Sequence, residues 1–302
     1  MMPRRWKILT SAYGLAVVGA GALLVVGPKI GVLAQQPRET IDTSRLKLTF
    51  ADDFNGTSVD RRKWNTGDIN NSVEDRTLAG NAEREVYLDP EWLGMDIQPI
   101  SQAGGMLRFT ANPLPDHARA LIRARVAALP PERRTPVLDA LAYSSGRVST
   151  RSRFSQRYGY FEMRARFSAG RGLWPAFWLL PADGSWPPEI DVMEVLGHEP
   201  DKVYTTVHSS AMAKQGADTR ADPTADGYHR YGVMWGPATI DFYLDGAKVQ
   251  SMKTPPDAHK PMYITANLAV GGHWPGDPDG STRFPATMDI DYIRAWRYPG
   301  GR

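Results

Sequence analysis

Residues Glu189-Ile190-Asp191-Val192-Met193-Glu194 set three carboxylates inside one apolar, strand-like run. Side chains i and i+2 of a strand share a face. Glu189 and Asp191 therefore point together, while Ile190 and Val192 point to the core side. Glu194 has the wrong parity for a regular strand, and one extra residue, a β-bulge around Met193, returns it to the Glu189 face. Three converging acids repel one another unless they share protons or the charges are used. Such a pair of carboxyl groups suits cleavage of a glycosidic bond, with a nucleophile and an acid/base about 5–5.5 Å apart in a retaining enzyme. The plainer alternative is an edge strand with a solvated acidic face. The apolar neighbours Ile190, Val192, Val195 and Leu196 argue against it.

The flanks sharpen this reading. Trp174-Pro175-Ala176-Phe177-Trp178-Leu179-Leu180-Pro181 lies upstream, and a lone His208 in Thr206-Val207-His208-Ser209 lies downstream. An ExDxxE strand after WPAFWLLP resembles glycoside hydrolase family 16, which includes laminarinases, mixed-linkage β-glucanases, agarases, carrageenases and exopolysaccharide depolymerases. Further segments match in order: Ala51-Asp52-Asp53-Phe54-Asn55-Gly56 with Trp64, Ser145 to Thr150, Tyr158 to Arg164, and Tyr228-His229 to Trp235. Asn267 to Gly276 and Asp289 to Arg294 complete the set, so the resemblance covers residues 44 to 298. Gly184-Ser185-Trp186 followed by Pro187 to His198 is similar to the exopolysaccharide-depolymerase branch in particular.

That resemblance implies an all-β fold, an antiparallel β-sandwich of concanavalin-like jelly-roll type with an open concave cleft. It implies a retaining, endo-acting hydrolase of β-1,3- or mixed β-1,3/1,4-linked glucan, or of a related bacterial exopolysaccharide. Glu189 takes the place of the nucleophile, Glu194 of the acid/base, and Asp191 tunes the nucleophile between them. Trp174 and Trp178 share a strand face and are expected as sugar platforms, against core packing as the alternative. Trp274 sits in a loop-like Gly-Gly-His-Trp-Pro-Gly and is expected at the cleft, as is Asn267. Trp186 either lines the cleft or pins its turn. His208 either meets Asp191 or a substrate hydroxyl, or is a satisfied structural histidine. Asn81-Ala82-Glu83-Arg84-Glu85 resembles a loop that supplies an Asn and a Glu to substrate. Ala82 and Glu85 depart from the usual pattern there, and Asn81 alone is carried over. No cofactor is required for this chemistry. The resemblance also implies a structural calcium held near Asp53 and Asp291.

The rest of the chain must position these groups. Its 302 residues are 42% hydrophobic with nine Trp and twelve Tyr, enough for one large β domain over residues 45–300. There is no cysteine, which excludes a disulfide framework, a thiolate metal site and a thiol nucleophile. Arg4, Arg5, Lys7 and Lys29 stand in residues 1–34 without an acid, so the formal +3 of the chain becomes −1 over the remainder. Nothing there suggests nucleic acid as a partner. The basic start and the apolar run from Ile8 to Val26 read as a leader over residues 1–34. It is either a signal peptide cut after Ala34 or a retained anchor spanning the membrane through residues 8–26. Both send the remainder out of the cytoplasm. Residues 35–44 read as a polar linker.

Beyond Leu46 the pattern is strands and turns, such as the alternating Tyr160 to Phe167, and Ile240 to Gly246 ending in a hairpin-type Asp-Gly. One segment breaks it: His117 to Leu141 reads as two short helices split by Pro130-Pro131, with Leu121, Ile122, Val126 and Leu129 at roughly helical spacing. It either covers the sandwich or borders the cleft. The expected partner is a polysaccharide and the default state a monomer. A transglycosylase on the same polymers and a non-catalytic polysaccharide-binding protein are the rival readings. For a sulfated galactan the sequence shows no obvious cluster of cleft cations.

Overall fold

Alternation of apolar and polar residues marks the strands, the commonest regular element of the fold, and two sheets bury their apolar faces against each other. The computed structural model describes residues 39–66, 72–222 and 226–299. One sheet has six strands: β1 (Arg147–Ser149), β2 (Leu173–Pro181), β3 (Glu189–Val195), β4 (Lys202–His208), β5 (Gln215–Arg220) and β6 (Met262–Val270). Their order is β5-β4-β3-β2-β6-β1, and every pair is antiparallel. The opposing sheet has ten strands, among them Gly159–Phe167, His229–Trp235 and Ala286–Arg297 near its centre. Among the described residues one pair is parallel, joining Glu85–Tyr87 to Tyr143–Ser145. The core between the sheets includes Phe177, Ile190, Val192, Met193 and Leu268 from the first, and Phe161, Met163, Tyr231, Val233 and Ile293 from the second. This is the expected sandwich.

The Asp-Gly hairpin forms as read. Asp245 and Gly246 both have positive φ, 52° and 83°, between the strands Thr239–Leu244 and Ala247–Lys253. That pair of left-handed residues matches the twist of a two-residue hairpin.

Two expectations differ from the structure. The proposed linker does not hang free in its described part: Thr40 pairs with Ala247, the Ile41 amide donates to Gly246 O at 2.9 Å, and Ile41 packs against a small cluster around Tyr160 and Trp296. One β-branched apolar residue with a place to bury is enough to dock it. The leader over residues 1–34 lies outside the described residues. Among the described residues no helix is long and apolar enough to cross a membrane.

The second difference is within the insertion. It does form helices, α1 (Asp116–Ala127) and a single turn α2 (Pro136–Asp139). Ala118, Ile122 and Val126 make its buried stripe, and Leu121 is left 42% exposed. Residues four apart align more closely on a helix face than their neighbours do, so Leu121 falls on the flank. The stripe packs on Val73, Val86, Leu88, Trp92 and Met95, a second core separate from the main one.

Candidate active site

A register shift puts the three acids together. On β2, Phe177 pairs with Met193 and Trp178 with Asp191, so Val192 has no partner of its own. On β4, Tyr204 faces Glu194 and Thr206 faces Asp191. The consecutive side chains of Val192 and Met193 both enter the core, and the chain regains its alternation with Glu194 on the opposite face. Glu189, Asp191 and Glu194 thereby line one cleft of about 910 Å³. The bulge is where the parity argument requires it, with Val192 as the unpaired residue.

Alternation on the neighbouring strands fills in the walls. Trp174, Ala176, Trp178 and Leu180 of β2 and Tyr204, Thr206 and His208 of β4 face the same cleft. The two glutamates are each held by an indole. Trp174 Nε1 donates to Glu194 Oε1 at 3.1 Å, and Trp186 Nε1 donates to Glu189 Oε2 at 2.7 Å. Trp274 stands edge-on to Trp174 and Tyr204, at 5.4 and 4.9 Å between ring centroids. This group gives an aromatic wall beside Glu194, suited to the C–H face of a sugar ring. Trp186, 65% exposed, gives another beside Glu189.

The electrostatics separate the acids. Burial pushes the Glu194 carboxyl up to about 7, and the charge of Glu189 adds to it; the Trp174 N–H and Lys214 pull the other way. Asp191 is almost fully buried, and burial together with the charges of Glu189 and Glu194 holds it well above the usual carboxylate range. Burial lowers His208, against the opposing pull of Glu189. Its Nε2 lies 3.1 Å from Asp191 Oδ2.

Asn267 and Asn81 reach the cleft with their amides already engaged. Trp178 Nε1 donates to Asn267 Oδ1 at 2.7 Å, and Asn267 Nδ2 donates to Tyr87 OH at 3.0 Å. Tyr87 OH donates to Glu83 Oε2 at 3.2 Å, and Asn81 Nδ2 donates to Glu83 Oε1 at 2.9 Å. This chain fixes the Trp178 ring and carries Glu83 to the cleft wall. Glu83 was passed over in the sequence. Tyr204 and Lys214 were also missed. Tyr204 was legible, because it shares parity with His208 on one strand; Lys214, in the turn after β4, carries no such signal.

Beneath the wall, Glu83 and Glu85 form a buried pair of acids. Burial and then the charge of Glu83 push Glu85 well above the usual carboxylate range. The folded protein therefore holds a proton that the unfolded chain has released, and stability falls as pH rises past the ordinary carboxylate range. Glu85→Gln keeps an oxygen for the Val270 amide, which Glu85 Oε2 now accepts at 2.7 Å. We expect its melting temperature to exceed wild type at pH 8 and to match it near pH 4. Each pKa unit relieved corresponds to about 1.4 kcal/mol and roughly 2–4 °C. Scanning calorimetry at the two pH values checks this.

The helical insertion braces this end of the cleft. Arg133 pairs with Glu74, just before the cleft-lining residues Thr77 to Asn81. Arg84 Nε donates to Ala140 O at 3.0 Å, and its Nη1 donates to Asp277 Oδ2 at 2.6 Å in the loop that follows Trp274. The His273 amide donates to Asn81 O at 2.9 Å. Arg84→Ala frees that loop from the insertion at a cost of about 1 kcal/mol. The expected result is a KM on polymer raised about fivefold with kcat within a factor of about two, read from initial rates.

Asp53 and Asp291 do not stand as a free pair for calcium. Asp53 Oδ1 accepts from Arg294 at 2.9 and 2.7 Å, and Asp291 Oδ2 accepts from Arg164 at 3.0 Å. A cation there would compete with two guanidinium groups, so the residues present do not fit it. The cleft does hold two cations, Lys214 and Arg151, brought from opposite edges of the sheet.

A family model, glycosyl hydrolases family 16, matches residues 122–294, more than half of the chain. The chain belongs to glycosyl hydrolases family 16. It is 39% identical to the endo-1,3-1,4-beta-glycanase ExsH of Rhizobium meliloti over 87% of this chain and 54% of the relative. It is 32% identical to the glucan endo-1,3-beta-glucosidase A1 of Niallia circulans, over 83% and 38%. The chain thus spans about half the length, or less, of these curated relatives. Among solved structures, the endo-beta-1,3-glucanase of Pyrococcus furiosus superposes with a TM-score of 0.69 at 28% identity, covering 88% of this chain and all of that one. The laminarinase catalytic domain of Thermotoga maritima gives 0.67 at 26%, covering 83% and 98%.

Proposed function

We propose that this family 16 protein is a retaining, endo-acting hydrolase of β-1,3- or mixed β-1,3/1,4-linked glucan or a related exopolysaccharide. The observation that carries the reading is the bulged strand β3, which sets Glu189 and a proton-holding Glu194 on one cleft floor. Glu189 attacks the anomeric carbon while Glu194 gives its proton to the departing glycosidic oxygen. The C–O bond breaks and a glycosyl ester forms on Glu189. That ester removes the negative charge that helped raise Glu194, so its pKa falls and it becomes the base that deprotonates water. Water displaces the ester and restores both carboxyl groups. Asp191, buried beside Glu189 and coupled to its charge, regulates how much charge the nucleophile carries.

The cleft runs across the sheet from Gly216 and Asp218 on β5 to Arg151 after β1, which supports binding of an internal stretch of polymer. The basic and apolar leader supports export, either cleaved or retained as an anchor, and the protein acts as a monomer. Proton NMR during digestion of laminarin and lichenan tests the reaction. The first-formed reducing end should be the β anomer, and viscosity should fall well before reducing ends accumulate. An α anomer first would rule out retention. Longer products on adding an acceptor oligosaccharide would favour transglycosylation. Binding without cleavage of either glucan, curdlan or succinoglycan would favour a binding protein.

A further inference from the structure

Glu189, Asp191 and His208 are, among the described residues, a three-donor group: one carboxylate oxygen of each acid and a ring nitrogen of the histidine lie within 4.8 Å of one another. His208 Nε2 is 3.1 Å from Asp191 Oδ2 and 3.9 Å from Glu189 Oε1. Asp191 is only 3% exposed, and its Oδ2 is buried without accepting a hydrogen bond. His208 is near enough to donate to that oxygen but is not aligned to do so. The two atoms are neighbours without being donor and acceptor, which is the relation between two ligands of one ion. Tetrahedral zinc, with bonds of about 2.0–2.1 Å, sets its ligand atoms roughly 3.3 Å apart. The histidine–aspartate edge already has that spacing, and turning the partly exposed Glu189 side chain toward the pair shortens its two edges, which now lie within 4.8 Å. Trp186 engages Glu189 Oε2, which leaves Oε1 for the ion. The cleft supplies water as the fourth ligand. An imidazole in the set selects zinc, copper or nickel over calcium and magnesium.

We propose that Glu189, Asp191 and His208 bind one divalent transition-metal ion, zinc in the first instance, and that the bound ion blocks the cleft. Binding depends on the donor geometry alone and not on which carboxylate is the nucleophile. Loss of activity in the loaded protein rests on the catalytic reading above.

Calorimetric titration of the full chain with zinc chloride at neutral pH, in a buffer that does not bind zinc, tests the site directly. The expected result is one ion per chain with micromolar affinity. Cobalt(II) in place of zinc should give the intense visible bands of a tetrahedral ion. His208→Ala and the bulkier His208→Gln should each weaken binding more than the roughly 10–100-fold that loss of an outer-shell partner costs. Circular dichroism without metal shows that the variants fold. Zinc should also inhibit glucan hydrolysis with the calorimetric constant, and a chelator should restore the rate. No binding at hundreds of micromolar zinc would overturn the proposal, and so would affinity unchanged in both folded His208 variants. Binding lost in those variants without any glucan hydrolysis to inhibit would leave the metal site standing and remove the catalytic reading instead.

Discussion

Glu189→Gln should lower glucan hydrolysis on the order of 10⁴-fold or more, because without an oxygen nucleophile no glycosyl ester forms. The substitution is nearly isosteric. The amide oxygen can still accept from Trp186, which now donates to Glu189 at 2.7 Å, and the strand register is set by Ile190, Val192 and Met193 in the core. Melting temperature should therefore stay within a few degrees of wild type, separating lost chemistry from lost fold. Glu189→Gly makes the assignment stricter. With the side chain gone, azide can enter from the nucleophile's side and displace an activated aryl leaving group from a β-glucosyl oligosaccharide. The product is then a glycosyl azide of α configuration. Reducing-sugar assays and NMR of the azide read the two variants. Hydrolysis within tenfold of wild type in Glu189→Gln would remove Glu189 from the mechanism.

The reach of the sequence is uneven for a physical reason. Strand parity is local, so the shared face of Glu189 and Asp191, the misfit of Glu194 and the need for a bulge could all be read from six consecutive residues. The same rule put Trp174 and Trp178 on one face, while the family resemblance, not parity, pointed them and His208 to the cleft. What parity cannot supply is partners from distant segments. Asn267 does line the cleft as expected, but its amide is engaged by Trp178 and Tyr87, and the 180-residue separation from Tyr87 leaves no trace in either local pattern. Lys214 and Arg151 escaped notice as cleft cations because they come from opposite edges of one sheet. The calcium expectation met a similar obstacle: Arg294 and Arg164 engage the two aspartates across strand pairs. The insertion was legible as helices, but its bracing of the Trp274 loop depends on Arg84, whose neighbours in sequence give no hint of Asp277.

Glu194→Gln should cost about 10²–10⁴-fold on unactivated glucan, the range of general acid–base catalysis, and should also remove a limb of the pH profile. In wild type, burial and the charge of Glu189 hold Glu194 up to about 7. The free enzyme loses this proton as pH rises through that value, so kcat/KM should fall on the alkaline side with an apparent pKa near 7. Glutamine does not titrate, and its profile should lack that limb. The Trp174 indole N–H, now 3.1 Å from Glu194 Oε1, can still donate to the amide oxygen, so the aromatic wall keeps its place. An aryl β-glucoside whose leaving group departs without protonation should form the glycosyl ester in this variant almost as fast as in wild type. Hydrolysis of the ester should then be slow, giving a burst of aryl alcohol followed by a low steady rate. Azide should accelerate that second phase and yield a β-glycosyl azide, because it needs no base and attacks from the side that water would use. The two azide products, α from Glu189→Gly and β from Glu194→Gln, assign nucleophile and acid/base separately. If the alkaline limb survives in Glu194→Gln, another group holds the proton, and Asp191, buried beside Glu189 and pushed well above the usual carboxylate range, becomes the residue to replace next.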